Sequence, residues 1–129
     1  MRESIAMKHR LLLAAIALSL LSSVVVAQSV DKVYEPTEVD RKTKITLKPQ
    51  PPYTEEARKH EIEGKVVLRV VLRASGEITD VEVLQGLPYG LTEQCIKVVR
   101  KIKFEPAIKD GRAVSQRFEA TYVFFFFRG

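Results

Sequence analysis

Cys95 and His60 are the thiol and imidazole that nucleophilic chemistry would need in this chain of 129 residues. Cys95, however, lies in the middle of an apolar helical stripe, where a cysteine acts as a small buried hydrophobe. The other histidine, His9, falls in the N-terminal leader-like segment. Asp80 and Glu82, two apart on a strand, share a face and have the types for acid–base work. Arg69 and Arg73 on the preceding strand turn them into a solvated charge ladder instead. Lys97, Arg100, Lys101 and Lys103 form a basic helix face, read as solvated rather than as a polyanion site. Gly86 and Gly90 match no phosphate-cradling loop. With a single cysteine no intramolecular disulfide can form, and no cluster of residues has metal-ligand spacing. No catalytic, cofactor-binding or metal-ligating set emerges. The expectation is a binding module without cofactor.

The elements that must position such a module begin with a hairpin. In Glu63-Gly64-Lys65-Val66-Val67-Leu68-Arg69-Val70-Val71-Leu72-Arg73, side chains alternate so that Val66, Leu68, Val70 and Leu72 share one face and Lys65, Arg69 and Arg73 the other. Ala74-Ser75-Gly76-Glu77 turns the chain. Ile78 to Leu84 returns Val81 and Val83 to the core face, with Asp80 and Glu82 opposite the arginines. Such cross-strand pairs contribute about 0.2–1 kcal/mol each.

Before the hairpin the chain carries an address. Arg2, Lys8 and Arg10 precede the apolar run Leu11 to Leu21, and Val25-Val26-Ala27 places small residues before Gln28. That order describes a secretory signal peptide over residues 1–27. An uncleaved anchor is the alternative, although the run from Leu11 to Ala27 is short for a spanning helix. Cleavage after Ala27 takes 27 of the 129 residues and leaves 102, enough for one small domain. It also removes three of the Lys/Arg and one of the acidic residues, so the net charge falls from +5 to +3. That is too weak to argue for nucleic acid, and export argues further against it. Residues 28–48 read as an extended linker, with Lys44-Ile45-Thr46-Leu47 a candidate extra edge strand, and residues 49–129 as the domain.

Pro49-Gln50-Pro51-Pro52 stiffens the entry to that domain. Thr54 caps a short helix expected over Glu55 to Glu61, acidic at its start and basic at its end. After the hairpin, Thr92 reads as the cap of a second helix running to about Lys103. Its stripe is Leu91, Cys95, Val98, Val99 and Ile102. Lys109-Asp110-Gly111-Arg112 is a turn. The last strand, Val114 to Phe127, puts Phe118, Ala120, Tyr122, Phe124 and Phe126 on one face and Arg117, Glu119, Thr121, Val123 and Phe125 on the other. Its tail is apolar on both faces, which makes it an aggregation hazard or an interaction surface.

Tyr53-x-x-x-Ala57-Arg58, Ile62-Glu63-Gly64-x-Val66, Gly76-x-Ile78-x-Asp80-Val81, Gly90-Leu91, Phe104-x-Pro106 and Asp110-Gly111-Arg112 follow one another between Pro49 and Phe127. In this order and spacing the chain resembles the C-terminal domain of TonB energy transducers. The resemblance implies an α+β fold of order α-β-β-α-β: a three-stranded antiparallel sheet with helices packed on one face. It also implies a non-enzymatic role in the periplasm. Such domains bind a short extended segment, the TonB box, of outer-membrane receptors and pass on the pull of a proton-driven inner-membrane motor. The segment adds as a strand beside the last strand, which is β-augmentation. On this chain Arg117, Glu119, Thr121 and Val123 would flank the added peptide. Gln50-Pro51, ahead of Tyr53, matches the pair that contacts the receptor in well-known members, and Tyr53 is expected with them among the partner-binding residues.

Thr54 and Ala113 stand where the family usually has proline. Full transducers also keep an uncleaved N-terminal helix bearing a serine and a histidine, then a long proline-rich spacer. Leu11 to Ala27 holds no histidine and the spacer is only Gln28 to Lys48. The resemblance therefore implies a stand-alone, exported version, with an inner-membrane-anchored form as the alternative. The partner is an outer-membrane receptor peptide or another envelope protein. The rival reading uses the aromatic tail for a strand-exchanged homodimer or an envelope scaffold contact.

Overall fold

Val66, Leu68, Val70 and Leu72 have no exposed surface, and the fold is built around the strand that carries them. The computed structural model describes residues 31–128; the expected export segment, residues 1–27, lies outside these. In chain order the elements are β1 (Val33–Tyr34), a 3-10 turn (Pro36–Glu38), β2 (Lys44–Leu47), α1 (Glu55–Lys59), β3 (Gly64–Leu72), β4 (Ile78–Gln85), α2 (Leu91–Val99), β5 (Lys103–Glu105), β6 (Ala107–Lys109) and β7 (Arg112–Phe124). The main sheet has the order β1-β7-β3-β4, with β6 folded back on β7; β2 and β5 form a separate two-stranded sheet. Among the described residues no helix is long and apolar enough to cross a membrane.

The expected antiparallel core of three strands is present as β4, β3 and β7, and the fold is α+β. The structure adds β1 and β6 to it, and β2 and β5 as a separate pair. Both helices bury their apolar sides on one face. Ala57 of α1 and Leu91, Cys95, Val98 and Val99 of α2 join Val66, Leu68, Val70, Leu72, Ala120, Tyr122 and Phe124 in one cluster. The stripe read from the sequence is the stripe that is buried. The open face of the sheet carries Arg69, Arg117, Glu119, Thr121 and Val123, and on it Val71 is still only 3% exposed, lying between Arg117 and Thr79 in register.

β3 pairs with β7 without interruption from Gly64 opposite Phe124 to Leu72 opposite Gln116. With β4 it pairs irregularly, the register shifting twice. Asp80 has φ 54°, a left-handed backbone that marks a bulge. The expected ladder survives it: Arg69 Nη1 lies 3.7 Å from Glu82 Oε2 and Arg73 Nη2 2.7 Å from Asp80 Oδ2. Val81 packs against the core, whereas Val83, expected there, is 44% exposed. Edge position explains the difference, since no further strand covers β4 among the described residues.

Local expectations at the helix ends divide. Thr54 caps α1, accepting the Ala57 N–H at 3.2 Å, and its hydroxyl donates to the Tyr89 carbonyl at 2.6 Å. Thr54→Ala removes both bonds and is expected to cost about 1–2 kcal/mol in thermal or urea unfolding. Thr92 is not the cap of α2. Gly90, with φ 82°, takes that place, and the helix ends at Val99. The Thr92 hydroxyl instead accepts the Leu87 N–H and donates to the Leu87 carbonyl, both at 2.8 Å. It closes the preceding loop rather than the helix. Asp110 (φ 50°) and Gly111 (φ 74°) form the tight β6–β7 turn, left-handed at both centres.

The stretch expected as a linker is extended but not loose from Val33 onward. β1 lies parallel on β7, with Val33 opposite Ser115 and Tyr34 opposite Gln116. The Asp40 and Arg41 N–H groups both donate to the Ile108 carbonyl, and the Ile108 N–H donates to the Arg41 carbonyl. β2, the candidate edge strand, pairs antiparallel with β5 rather than with the main sheet.

Candidate functional site

A peptide can add to a sheet only where backbone donors and acceptors are unpaired and the strand is regular. The main sheet offers two such edges. Along β4 the Asp80 bulge and the second register shift break the row of backbone groups, and Asp80 and Glu82 add charge. Both are devices that keep an edge from being paired. Along β7 the ladder to β3 is unbroken, and beyond Gln116 no described strand covers the outer side. The regular free edge is Arg117 to Phe124.

The orientation of that edge follows from one contact. The Lys48 ammonium donates to the Thr121 carbonyl at 2.8 Å, from outside the β3–β7 ladder. By the period of two, Arg117, Glu119, Thr121 and Val123 then present their N–H and C=O groups to the outer side. The side chains of these four residues stand on the open face. The Arg117 Nε is 2.8 Å from Glu35 Oε1, and Arg69 lies opposite Glu119. Glu35, Pro36, Arg69, Arg117, Phe118 and Glu119 line an open groove of about 550 Å³. Val123 is 54% exposed and Phe125 64%; with Glu63, Gly64, Lys65, Gln85 and Phe124 they line a second, mostly apolar groove of about 500 Å³.

The other residues singled out by sequence run beside the same strand. Lys48 touches Thr121, and Tyr53 reaches Phe124 with ring centroids 6.0 Å apart, so Gln50 and Pro51 lie on the connection between two contacts with β7. Gln50 is exposed and Pro51 half-buried. Tyr53 is half-buried and held: its hydroxyl donates to the Ile62 carbonyl at 2.5 Å, and Arg58 sits 5.3 Å from its ring centre. These contacts hold the chain entry against β7. Sequence reading missed Glu35 and Lys48, which reach the edge from 73 or more positions away; Val33-Tyr34 is too short a strand to carry a periodicity signal.

Candidate chemistry elsewhere is closed off. Cys95 has no exposed surface, and burial pushes its thiol up to about 11, the Lys48 ammonium opposing weakly. A thiol held protonated is a poor nucleophile. His60 stacks on Tyr89 at 4.1 Å. Burial, and then the neighbouring Cys95, push the Tyr122 hydroxyl up to about 12. Both groups have folded-state values above their ordinary ones, so each contributes stability that is complete below the ordinary value and lost as pH rises through the folded one. Stability is therefore expected to fall between pH 9 and 11 through Cys95 and between pH 10 and 12 through Tyr122. Cys95→Ala should flatten the first part of that fall in urea midpoints taken across the range. Thiol reagents should label wild-type Cys95 only on unfolding.

Three comparisons bear on this arrangement. A family profile described as Gram-negative bacterial TonB protein C-terminal matches residues 49–125. The chain is 32% identical over 82 residues to the protein TonB of Pseudomonas aeruginosa, a match that spans 62% of this chain and 23% of that protein. Among solved structures, the solution structure of the Pseudomonas aeruginosa TonB C-terminal domain superposes with a TM-score of 0.50 at 30% identity, covering 69% of this chain and 89% of that one. The TonB2 protein of Vibrio anguillarum gives a TM-score of 0.50 at 24% identity over 69% of this chain and 86% of the other, a likeness of fold.

Proposed function

The chain belongs to the family of TonB C-terminal domains, and from that premise we propose that it is an exported, non-enzymatic module that binds an extended peptide by strand addition to β7. The observation that carries the proposal is the contrast between the two sheet edges. β4 is bulged and charged, while β7 from Arg117 to Phe124 is regular and uncovered. Main-chain bonds to Arg117, Glu119, Thr121 and Val123 supply affinity, and side chains entering the two open-face grooves supply selectivity. Gln50, Pro51 and Tyr53, beside the same strand, are proposed to contact the receptor next to its peptide. The partner class is the TonB-box segment of an outer-membrane receptor or a comparable segment of another envelope protein, within energised transport across the outer membrane. Residues 1–27 are proposed as the export signal and the periplasm as the site of action. Residues 28–48 are proposed as the extended lead-in to a domain of residues 49–129.

The test is a titration of the isotope-labelled chain with synthetic peptides from the N-termini of outer-membrane receptors of the same organism. Amide shifts concentrated on Arg117 to Val123 are expected. An unperturbed β7 at millimolar peptide overturns the proposal. The second reading, a strand-exchanged dimer, draws on the exposure of Phe125 (64%) and Phe127 (86%). Sedimentation over a range of concentrations decides it, because a persistent monomer rules the dimer out.

A further inference from the structure

The β7 edge already carries a short added strand, and it comes from the chain itself. β1 lies parallel on β7 at Ser115 and Gln116, and the next residue, Glu35, places its carboxylate 2.8 Å from Arg117 Nε. Arg117 is the first residue of the free edge. Two further side-chain contacts tie the same N-terminal stretch along the strand: the Thr43 N–H donates to Gln116 Oε1 at 3.0 Å and Lys48 to the Thr121 carbonyl at 2.8 Å. The stretch thus sits on β7 from Ser115 to Thr121 while making ladder pairs only at its first two positions. Every contact beyond Gln116 is through a side chain.

We propose that Val33 to Glu35 is a resident strand occupying the start of the peptide-docking edge, latched by Glu35 on Arg117, and that an incoming strand extends along the whole edge by displacing it. The inference rests on the strand-addition reading above. The geometry fits it in two respects. Arg117 and Glu35 are half-exposed, with side-chain exposures of 46% and 53%, so their ion pair is weak and exchangeable. A two-residue strand has few main-chain bonds to lose. The Lys48 ammonium occupies one lone pair of the Thr121 carbonyl through a flexible stem, and an incoming N–H can replace it. Arg117, freed from Glu35, then meets the peptide, so an acidic side chain at that point of the peptide takes over the bond that Glu35 gives up.

The test uses the full chain, its Glu35→Ala and Arg117→Ala variants, and two eight-residue apolar peptides differing only in a central glutamate or glutamine. Opening the latch with Glu35→Ala should tighten binding of the glutamate peptide about fivefold, the fold-change for one exposed ion pair. In Arg117→Ala the preference for the glutamate peptide over the glutamine peptide should disappear. Amide exchange within Val33 to Glu35, the segment that is released, should speed up in the Glu35→Ala chain and in wild type saturated with peptide. Equal affinities for wild type and Glu35→Ala, with exchange within Val33 to Glu35 unchanged by peptide, overturn the resident strand and leave strand addition standing. If neither peptide nor any receptor-derived peptide binds any of the three chains, strand addition itself fails, and the resident strand as a competitor with it.

Discussion

Val123→Pro is expected to abolish peptide binding while leaving the domain folded. Val123 lies opposite Lys65 in the unbroken ladder, two residues beyond Thr121, whose carbonyl faces outward to Lys48. Its N–H therefore belongs to the free edge, and the bonds between β7 and β3 do not use it. Proline is tolerated on an edge strand when its missing donor faces away from the sheet. The substitution removes one main-chain donor from an incoming strand and sets a ring where that strand must approach. A loss of at least about tenfold in affinity is expected, from the bond and the obstruction together. Val123→Ala, which keeps the donor, should bind within about threefold of wild type. Peptide titrations of both variants, with a far-UV spectrum to verify folding, make the measurement. Wild-type affinity in the proline variant would remove β7 from the mechanism.

Leu68→Ala carries the largest expected effect on stability. Leu68 is fully buried, lies between Ala120 of β7 and Val83 of β4 in register, and belongs to the cluster covered by α1 and α2. Truncation removes apolar contacts and leaves a cavity that packed neighbours refill only in part, at a cost of about 2–5 kcal/mol. Domains of this kind have about 5–15 kcal/mol in total, so the variant should lose much of its urea midpoint. Leu84→Ala serves as the comparison: Leu84 is 40% exposed on the β4 edge and should cost well under the Leu68 value. The Leu68 change bears on function as well. β3 holds β7 in place, and a domain that unfolds locally presents no edge. A cost below about 1 kcal/mol would mean that β3 is not the centre of the core.

The two predictions separate scaffold from site, and the same separation shows in what was readable from the residues alone. The β3 alternation, the α2 stripe and the Asp110-Gly111 turn are local patterns. Each depends on a periodicity or a backbone preference that a few neighbouring residues express in full. The spacing of Tyr53, Gly64, Gly76, Gly90 and Asp110-Gly111 carried the family resemblance for a related reason, since turns and close approaches fix where such residues must fall. Local pattern also has a reach beyond which it misleads. Thr92 has the chemistry of a helix cap, but Gly90 two residues earlier adopts the left-handed backbone that starts the helix, and the Thr92 hydroxyl is drawn to Leu87.

By itself the sequence determined the α+β domain, the strand on which it is centred, the buried side of its second helix and the candidate residues Arg117, Glu119, Thr121 and Val123 on one face of the last strand. Tertiary structure alone decided which edge of the sheet is regular and left without a neighbouring strand among the described residues. It placed a bulge at Asp80, brought Lys48 to Thr121, and seated Val33 to Glu35 on β7. The physical reason is the range of the interactions. Side-chain alternation is set within a strand, whereas strand pairing is set by backbone groups that meet only when distant segments fold together, as Glu35 and Arg117 do.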